Sequence, residues 1–301
     1  MTTYSLSSYQ QVAERLTALE KWLSKMGIRV APTRIGHYQR LIDRLIKAHA
    51  AGSIPQVFTR EQISSIILTF GEISEIEFVR EHLSDGPNFR LREKLLDVVG
   101  GPVFPSDEDP TKSSNHARNI LFELSIAATL VSGGFPLQPS GDCDLCTTCG
   151  ENRVMIECKR PQSAKNVERV IKDGMSQLRK HLGRKPDRCF GLLAISASKV
   201  ISGGTHVIRA PDKEGIQSEL LSAGDKFIRS HGVSWNLRAP KGVIAVILHL
   251  GATGIAEDPG QLYTGKQYMV CPIERQSEEK ITLARRFFEQ FKNGSIDRAS
   301  V

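Results

Sequence analysis

Apolar residues recur at helical spacing through the first hundred positions of the chain. The stripes at 12–26 and 35–46 each follow the three-to-four-residue spacing of an amphipathic helix. Thr59 and Gln62 form a capping-box pattern before a third stripe, and a fourth short stripe ends at Gly100. The pattern predicts an all-helical N-terminal region that serves as a packing module or binds a protein partner, with helices that contact DNA as the minority interpretation.

The hydrophobic period changes beyond the segment 100–114, which is rich in Gly, Pro, Ser and Asp and is the best candidate for a linker. Ser113 or Ser114 is expected to cap a helix that runs to Val131. From there the apolar positions alternate, which is typical of strands, and residues 135–138 are expected to form a short one.

Two alternating stretches, 142–148 and 153–160, predict a β-hairpin whose turn is Gly150-Glu151. Helices and strands then follow each other along the chain. Helices are expected at 163–182, 216–228 and 281–291, strands at 190–195, 243–250 and, at the sheet edge, 267–271, and a turn at 251–254. This order predicts a mixed α/β sheet flanked by helices, in a domain of residues 109–301 that follows the helical region 1–108.

Positive charge is concentrated beside the hairpin. The formal net charge of the chain is +7, and residues 153–188 alone contain eleven Lys or Arg against four acids. Such a local excess favours a polyanionic partner, most simply nucleic acid. A solvated helix face explains the same charges about equally well.

Three features of the sequence indicate the cellular compartment of the protein. Residues 1–10 are polar and do not resemble a signal peptide, and the longest apolar run, 243–250, is far shorter than the roughly 20 residues of a membrane helix. Six cysteines in such a chain indicate a reducing environment. We therefore expect a cytoplasmic protein with no membrane partner.

The candidate chemistry lies on the hairpin. If Gly150-Glu151 is a two-residue turn, Cys149 faces Asn152 and Asp144 falls opposite Glu157. The strand period of two then places Asp144, Glu157 and Lys159 on one face. Opposed carboxylates repel each other unless a cation lies between them, and a hard divalent ion such as Mg²⁺ or Mn²⁺ is the natural one. Lys159 could then orient a water molecule and stabilise charge on a phosphate.

A third acid, Glu123, lies inside the apolar segment of the preceding helix. A carboxylate in such a segment is rarely left without a partner, because burial is costly. Glu123 is therefore expected to join the hairpin acids, although a surface Glu at the edge of the stripe is the plainer interpretation.

Together these residues resemble the motif of the PD-(D/E)xK nuclease superfamily, which has the restriction-endonuclease-like fold. Glu123, Asp144, Glu157 and Lys159 match, in order, an acid on the first core helix, an Asp on the second strand and (D/E)-x-K on the third. Gln177 matches a Gln that some branches add on the next helix. The resemblance covers roughly 113–200, and it lacks the Pro before the Asp.

The resemblance implies a Mg²⁺- or Mn²⁺-dependent deoxyribonuclease, with a guessed role in restriction or defence. Asp144, Glu157 and Glu123 would hold metal, Lys159 would position water, and Gln177 would be an accessory contact. Double-strand cleavage would be easiest for a homodimer. The basic side chains expected along the nucleic-acid backbone are Arg160, Lys165, Arg169, Lys172, Arg179, Lys180, Arg184 and Lys185.

Three alternatives stay open. Asp142 competes with Asp144 for the metal role. A catalytically inactive fold could serve as a nucleic-acid or protein binding module. The cysteines at 143, 146, 149 and 158 could hold zinc or an iron–sulfur cluster, although the hairpin register places Cys146 on the face opposite the other three. Buried apolar cysteines are the favoured interpretation, and the isolated His181 and His249 are expected to be structural.

Overall fold

The computed structural model describes residues 2–6, 8–84, 90–109, 115–139, 141, 143–183, 188–202, 207–257, 261–274 and 276–294. Within these ranges the chain is mixed α/β, with ten α-helices and seven β-strands in one sheet. Several predictions fall outside the described residues: the capping Ser113 or Ser114, the competing Asp142, and the basic Arg184 and Lys185.

The predicted helices of the N-terminal region are present. Ser8 with Gln11 and Thr59 with Gln62 form capping boxes at two helix starts, each with reciprocal side-chain and backbone hydrogen bonds. The first five helices are α1 Tyr9–Lys25, α2 Arg34–Ala50, α3 Ile54–Val57, α4 Arg60–Leu83 and α5 Leu91–Val99. The remaining helices are α6 His116–Ser132, α7 Val167–Leu182, α8 Ser198–Ser202, α9 Lys213–Arg238 and α10 Glu278–Gly294.

The sheet has a parallel centre and antiparallel margins. Its strands are β1 Thr2–Leu6, β2 Leu145–Cys149, β3 Asn152–Lys159, β4 Cys189–Ser196, β5 Ile208–Ala210, β6 Val243–Ala256 and β7 Gln261–Pro272. The order is β1-β7-β6-β4-β3-β2, and the short β5 also pairs with β6. Since β3, β4 and β6 are parallel, their carboxyl ends meet at one edge of the sheet. In open α/β sheets ligands bind at such an edge.

Four details of the predicted sheet were wrong. The N-terminal region is not all-helical, because β1 pairs with β7; β7 is consequently not an edge strand. Residues 135–138 form no strand, only a single bridge between Leu137 and Thr147. Residues 251–254 lie inside β6 rather than in a turn. Glycine is needed there for packing, because a Cβ at Gly254 would lie within 3 Å of the Ile216 side chain.

The hydrophobic core crosses the predicted domain boundary at residue 108. One contiguous cluster joins α1, α2 and α4 to α6, α10 and one face of β3, β4 and β6. A second cluster packs α7 and α9 on the opposite face. The boundary stays a prediction, but no gap in the described core marks it. None of the described helices is long and apolar enough to cross a membrane.

Candidate active site

The hairpin has the predicted register, with Cys149 opposite Asn152 and Leu145 opposite Ile156. Asp144 precedes the first paired residue, so it is not part of the ladder and does not pair with Glu157 there. Its carboxylate instead caps the far strand: Asp144 Oδ2 accepts a hydrogen bond from the backbone N–H of Cys158 at 2.7 Å. This bond brings Asp144 to the carboxyl end of β3.

Lys159 connects the two hairpin acids. Its Nζ donates to Glu157 Oε2 at 2.7 Å and to Asp144 Oδ2 at 3.3 Å. It also lies 3.3 Å from the carbonyl oxygen of Cys158. The lysine stem passes over Gly174 of α7, where an added Cβ would lie 3.2 Å from Lys159 Cγ. The absence of a side chain at Gly174 therefore leaves room for the Lys159 side chain.

Glu123, on α6, lines a cavity that Asp144 and Lys159 also line. Its Oε2 accepts from Lys94 Nζ, on α5, at 2.7 Å. Burial raises the pKa of Glu123 above its ordinary value, and the negative charge of Asp144 adds to that rise. The structure thus brings Glu123 near the hairpin acids. Lys94 was missed, since nothing in its local sequence distinguishes it from other helix lysines.

The helix α7 contributes His181 rather than Gln177. His181 Nε2 lies 3.1 Å from Glu157 Oε1, whereas the side chain of Gln177 is exposed to solvent. The structure therefore does not bring Gln177 to the cluster. A sequence signal was available, because His181 continues the buried stripe of Gly174 and Leu178 at helical spacing.

Burial dominates the electrostatics of the cluster. The side chain of Glu157 is 1% exposed. Burial and the charge of Asp144 raise the pKa of Glu157 to about 7, even though Lys159 counteracts them. Burial lowers the pKa of Lys159, but Asp144 and Glu157 outweigh that effect and raise it overall. Lys159 is therefore a firmly held cation between two carboxylates, one of which titrates near neutral pH.

A cavity of about 300 Å³ lies beside the cluster, and the buried Glu157 is not among its described lining residues. Glu123, Asp144 and Lys159 line it, together with Arg160 and Arg169 of the predicted nucleic-acid-binding set. The side chain of Arg160 is buried and makes bidentate hydrogen bonds to Glu108, so only a small part of it is accessible from the cavity. The exposed basic positions are Lys165, Arg169, Lys172, Arg179 and Lys180, on α7 or just before it.

The oxygen donors fit a hard divalent cation by their chemistry. The carboxylates of Asp144, Glu157 and Glu123 and the carbonyl of Cys158 are the ligand types that Mg²⁺ and Mn²⁺ prefer. In the described arrangement, however, Lys159 occupies the space between the first two acids. No group of three or more His, Cys, Asp or Glu among the described residues is placed to hold a metal ion.

The four cysteines at 143, 146, 149 and 158 are buried, and they divide between two packing clusters. Cys149 and Cys158 belong to the main core, whereas Cys143 and Cys146 pack with Met155. The predicted side of Cys143 was wrong, because this residue precedes β2 and its Sγ turns to the Leu145 carbonyl at 3.1 Å. The division disfavours a single site with four thiolates.

Comparison with known proteins gives no family for the chain: no protein-family model matches it, and a search of curated proteins finds no match.

Proposed function

We propose that the protein is a metal-dependent nuclease with a restriction-endonuclease-like core, which hydrolyses DNA phosphodiester bonds. The observation that carries the proposal is the joining of Asp144, Glu157 and Lys159 at the carboxyl end of β3, where Asp144 and Lys159 line a cavity together with Glu123. Acids that can hold a metal ion and a lysine that can stabilise negative charge, beside a basic helix, suit the hydrolysis of a phosphodiester.

The succession of elements supports the same fold. An acid-bearing helix, α6, is followed by the hairpin of β2 and β3, then by α7, and then by β4, which runs parallel to β3. The superfamily core has this order, with one further strand before the hairpin. Here a single bridge at Leu137 stands in the place of that strand.

Each residue has a distinct role in the proposed reaction. Asp144, Glu157 and the Cys158 carbonyl would hold Mg²⁺ or Mn²⁺, and Glu123 would hold a second ion. The bound cation would polarise the phosphate and favour formation of hydroxide from water. Lys159 would orient the attacking water and stabilise the charge that develops on the phosphate oxygens. His181 would keep the Glu157 carboxylate in place through its 3.1 Å contact.

The exposed basic residues of α7 would lie along the DNA backbone. Lys172, Arg179 and Lys180 are exposed on this helix, and Arg169 also lines the site cavity. Contacts of this kind supply affinity that falls steeply with salt and depends little on sequence. A homodimer would place two such sites on opposite strands.

A second candidate function is a binding module with an inactive nuclease fold. It is favoured by one observation: each acid of the site already has a protein partner, with Lys94 on Glu123, Lys159 on Asp144 and Glu157, and His181 on Glu157. In this case the lysine would replace the metal permanently, and nucleic acid would be bound without cleavage.

Cleavage of plasmid, linear duplex, single-stranded DNA and RNA, with Mg²⁺ or with EDTA, tests the proposal. We expect Mg²⁺-dependent cleavage of DNA that Lys159→Ala reduces at least 100-fold. Lys241→Ala is the matched control, because Lys241 is an exposed lysine on the turn before β6. Binding of DNA without cleavage by any preparation would establish the second candidate instead.

A further inference from the structure

A second and larger cleft, of about 400 Å³, lies on the same edge of the sheet. It is bounded by α4, α6 and the ends of β4 and β6, and its lining includes Ser196 and His249. Phe122 and Arg160 line both this cleft and the candidate active site. Its volume is within the usual range of small-molecule sites, roughly 300–1,000 Å³.

The wall of this cleft, together with the buried Glu108 and Arg34 that lie in contact with it, contains more cations than acids. Glu108, whose side chain is fully buried, faces Arg160 at 2.9 Å, Lys199 at 2.5 Å and Arg118 at 3.7 Å. The neighbouring acid, Glu72, interacts with Arg118 at 2.8 Å and with Arg34 at 2.9 Å. Two carboxylates thus face four cations.

The other charges around the cleft are paired one to one. Glu75 interacts electrostatically with Lys266. At the rim Arg15 lies 3.1 Å from Glu77, and Arg80 lies 3.5 Å from Glu81. Counted over the described lining residues and the charged side chains that they contact, seven cations face five carboxylates, an excess of about two positive charges. Buried charge without a counterion is costly, and an anion of two negative charges would offset that cost.

The wall of this cleft also includes a polar side chain, His249. His249 is 3% exposed, and its Nδ1 contacts Ser196 Oγ at 3.2 Å. Its Nε2 has no hydrogen-bond partner among the described residues, because the nearest acid, Glu75, is 3.7 Å away. The imidazole ring stacks on Phe122, with ring centroids 5.4 Å apart. The wall thus contains a buried hydrogen-bonding atom beside aromatic surface.

Apolar side chains form much of the remaining lining, among them Leu121, Leu220 and Leu250. A bare inorganic anion would leave this surface unused, whereas an apolar molecule would leave the cations unpaired. We propose that the cleft binds a small organic dianion with a planar aromatic body, of the class of a free nucleoside monophosphate. The phosphate would lie near Lys199 and Arg160, and the base would lie between the apolar walls near His249. A phosphomonoester has a charge of about −1.5 to −2 at pH 7.

Calorimetric titration of the full chain tests this inference without any reference to cleavage. We expect adenosine monophosphate to bind with one site per chain, and adenosine and inorganic phosphate each to bind at least 10-fold more weakly. If inorganic phosphate binds as tightly as the nucleotide, the assignment of the cleft to an organic ligand is overturned. A 5′-phosphorylated oligonucleotide that binds more tightly than the free nucleotide would assign the cleft to nucleic-acid ends instead.

Two variants locate the binding. Lys199→Met removes a cation from the wall of the cleft and should weaken nucleotide binding at least 10-fold. The variant should still fold, because Arg160 continues to neutralise the Glu108 carboxylate. Lys241→Met should leave the affinity for the nucleotide unchanged. Ser74→Phe should abolish binding by filling the cleft from α4, since Ser74 lines it and has no part in the charge network. Unchanged affinity in folded Lys199→Met and Ser74→Phe proteins would contradict the assignment. Absence of nucleotide binding by the unaltered protein would refute it outright.

Discussion

The cluster at the end of β3 gives a sharp prediction for stability, because Lys159 offsets the burial of Glu157. Lys159→Met keeps most of the stem that packs on Gly174 and removes only the charge. It leaves a carboxylate that is 1% exposed with His181 as its remaining close partner. Removal of one partner of a buried ion pair typically costs about 3–5 kcal/mol. Since Lys159 is 18% exposed, we expect a loss of roughly 3 kcal/mol at pH 8.

The pH dependence of this loss follows from the raised pKa of Glu157, about 7. The ordinary pKa of a glutamate is about 4.3. Between about pH 4.3 and pH 7 the Glu157 carboxyl of the folded protein therefore retains a proton that the unfolded chain has released. The contribution of Glu157 to stability falls as the pH rises through that window. Without Lys159 the pKa of Glu157 rises further. At pH 6 the carboxyl is then protonated, and the cost of the substitution should fall to about half.

Urea unfolding at pH 6 and pH 8 measures both quantities. Lys172→Met, on the exposed face of α7, is the control and should change stability by less than about 0.5 kcal/mol. Glu157→Gln combined with Lys159→Met should recover most of the loss, since it removes the buried charge as well. Equal losses at the two pH values, or a loss below about 0.5 kcal/mol at pH 8, would refute this reasoning.

Three further predictions concern other parts of the fold. Gly174→Ala should destabilise the protein by roughly 1–3 kcal/mol in urea unfolding, because the new Cβ would lie 2.6 Å from Leu193 Cδ1. Gly52→Ala is the comparison: open space surrounds this position but its φ is +63°, so its loss of stability reports backbone strain without crowding. Glu108→Gln should cost about 3–5 kcal/mol, since it leaves three cations without their carboxylate, and a neutral result would contradict the charge count. Burial lowers the pKa of His249 to about 3, so between pH 6.5 and 3 the unfolded chain takes up a proton that the folded protein excludes. Each pH unit of acidification in that window should cost about 1.4 kcal/mol, and His249→Gln should remove that part of the slope in unfolding titrations.

Local patterns predicted the hairpin well because its two strands are consecutive and share a two-residue turn. The register of Cys149 with Asn152 follows from that turn alone, and the period of two then places Glu157 and Lys159 on the same face. The α4 capping box, Thr59 with Gln62, is local in the same sense.

Contacts between distant segments could not be predicted in this way. The pairing of Lys94 with Glu123 depends on how α5 packs on α6, and the cations around Glu108 come from three separate elements. The N-terminal strand β1 finds its partner more than 250 residues away in β7. In such cases tertiary packing selects the contact, and a single sequence without a packing constraint leaves many candidates equivalent.

The proposed nuclease activity is tested most directly by the rate at which purified protein cleaves duplex DNA with Mg²⁺. The unaltered chain is compared with Asp144→Asn. This substitution keeps the oxygen that accepts from the Cys158 N–H and removes the negative charge. A nuclease site predicts cleavage that falls at least 100-fold in Asp144→Asn, with DNA affinity retained through the basic face of α7. Equal cleavage by both proteins, or none by either, would contradict the assignment.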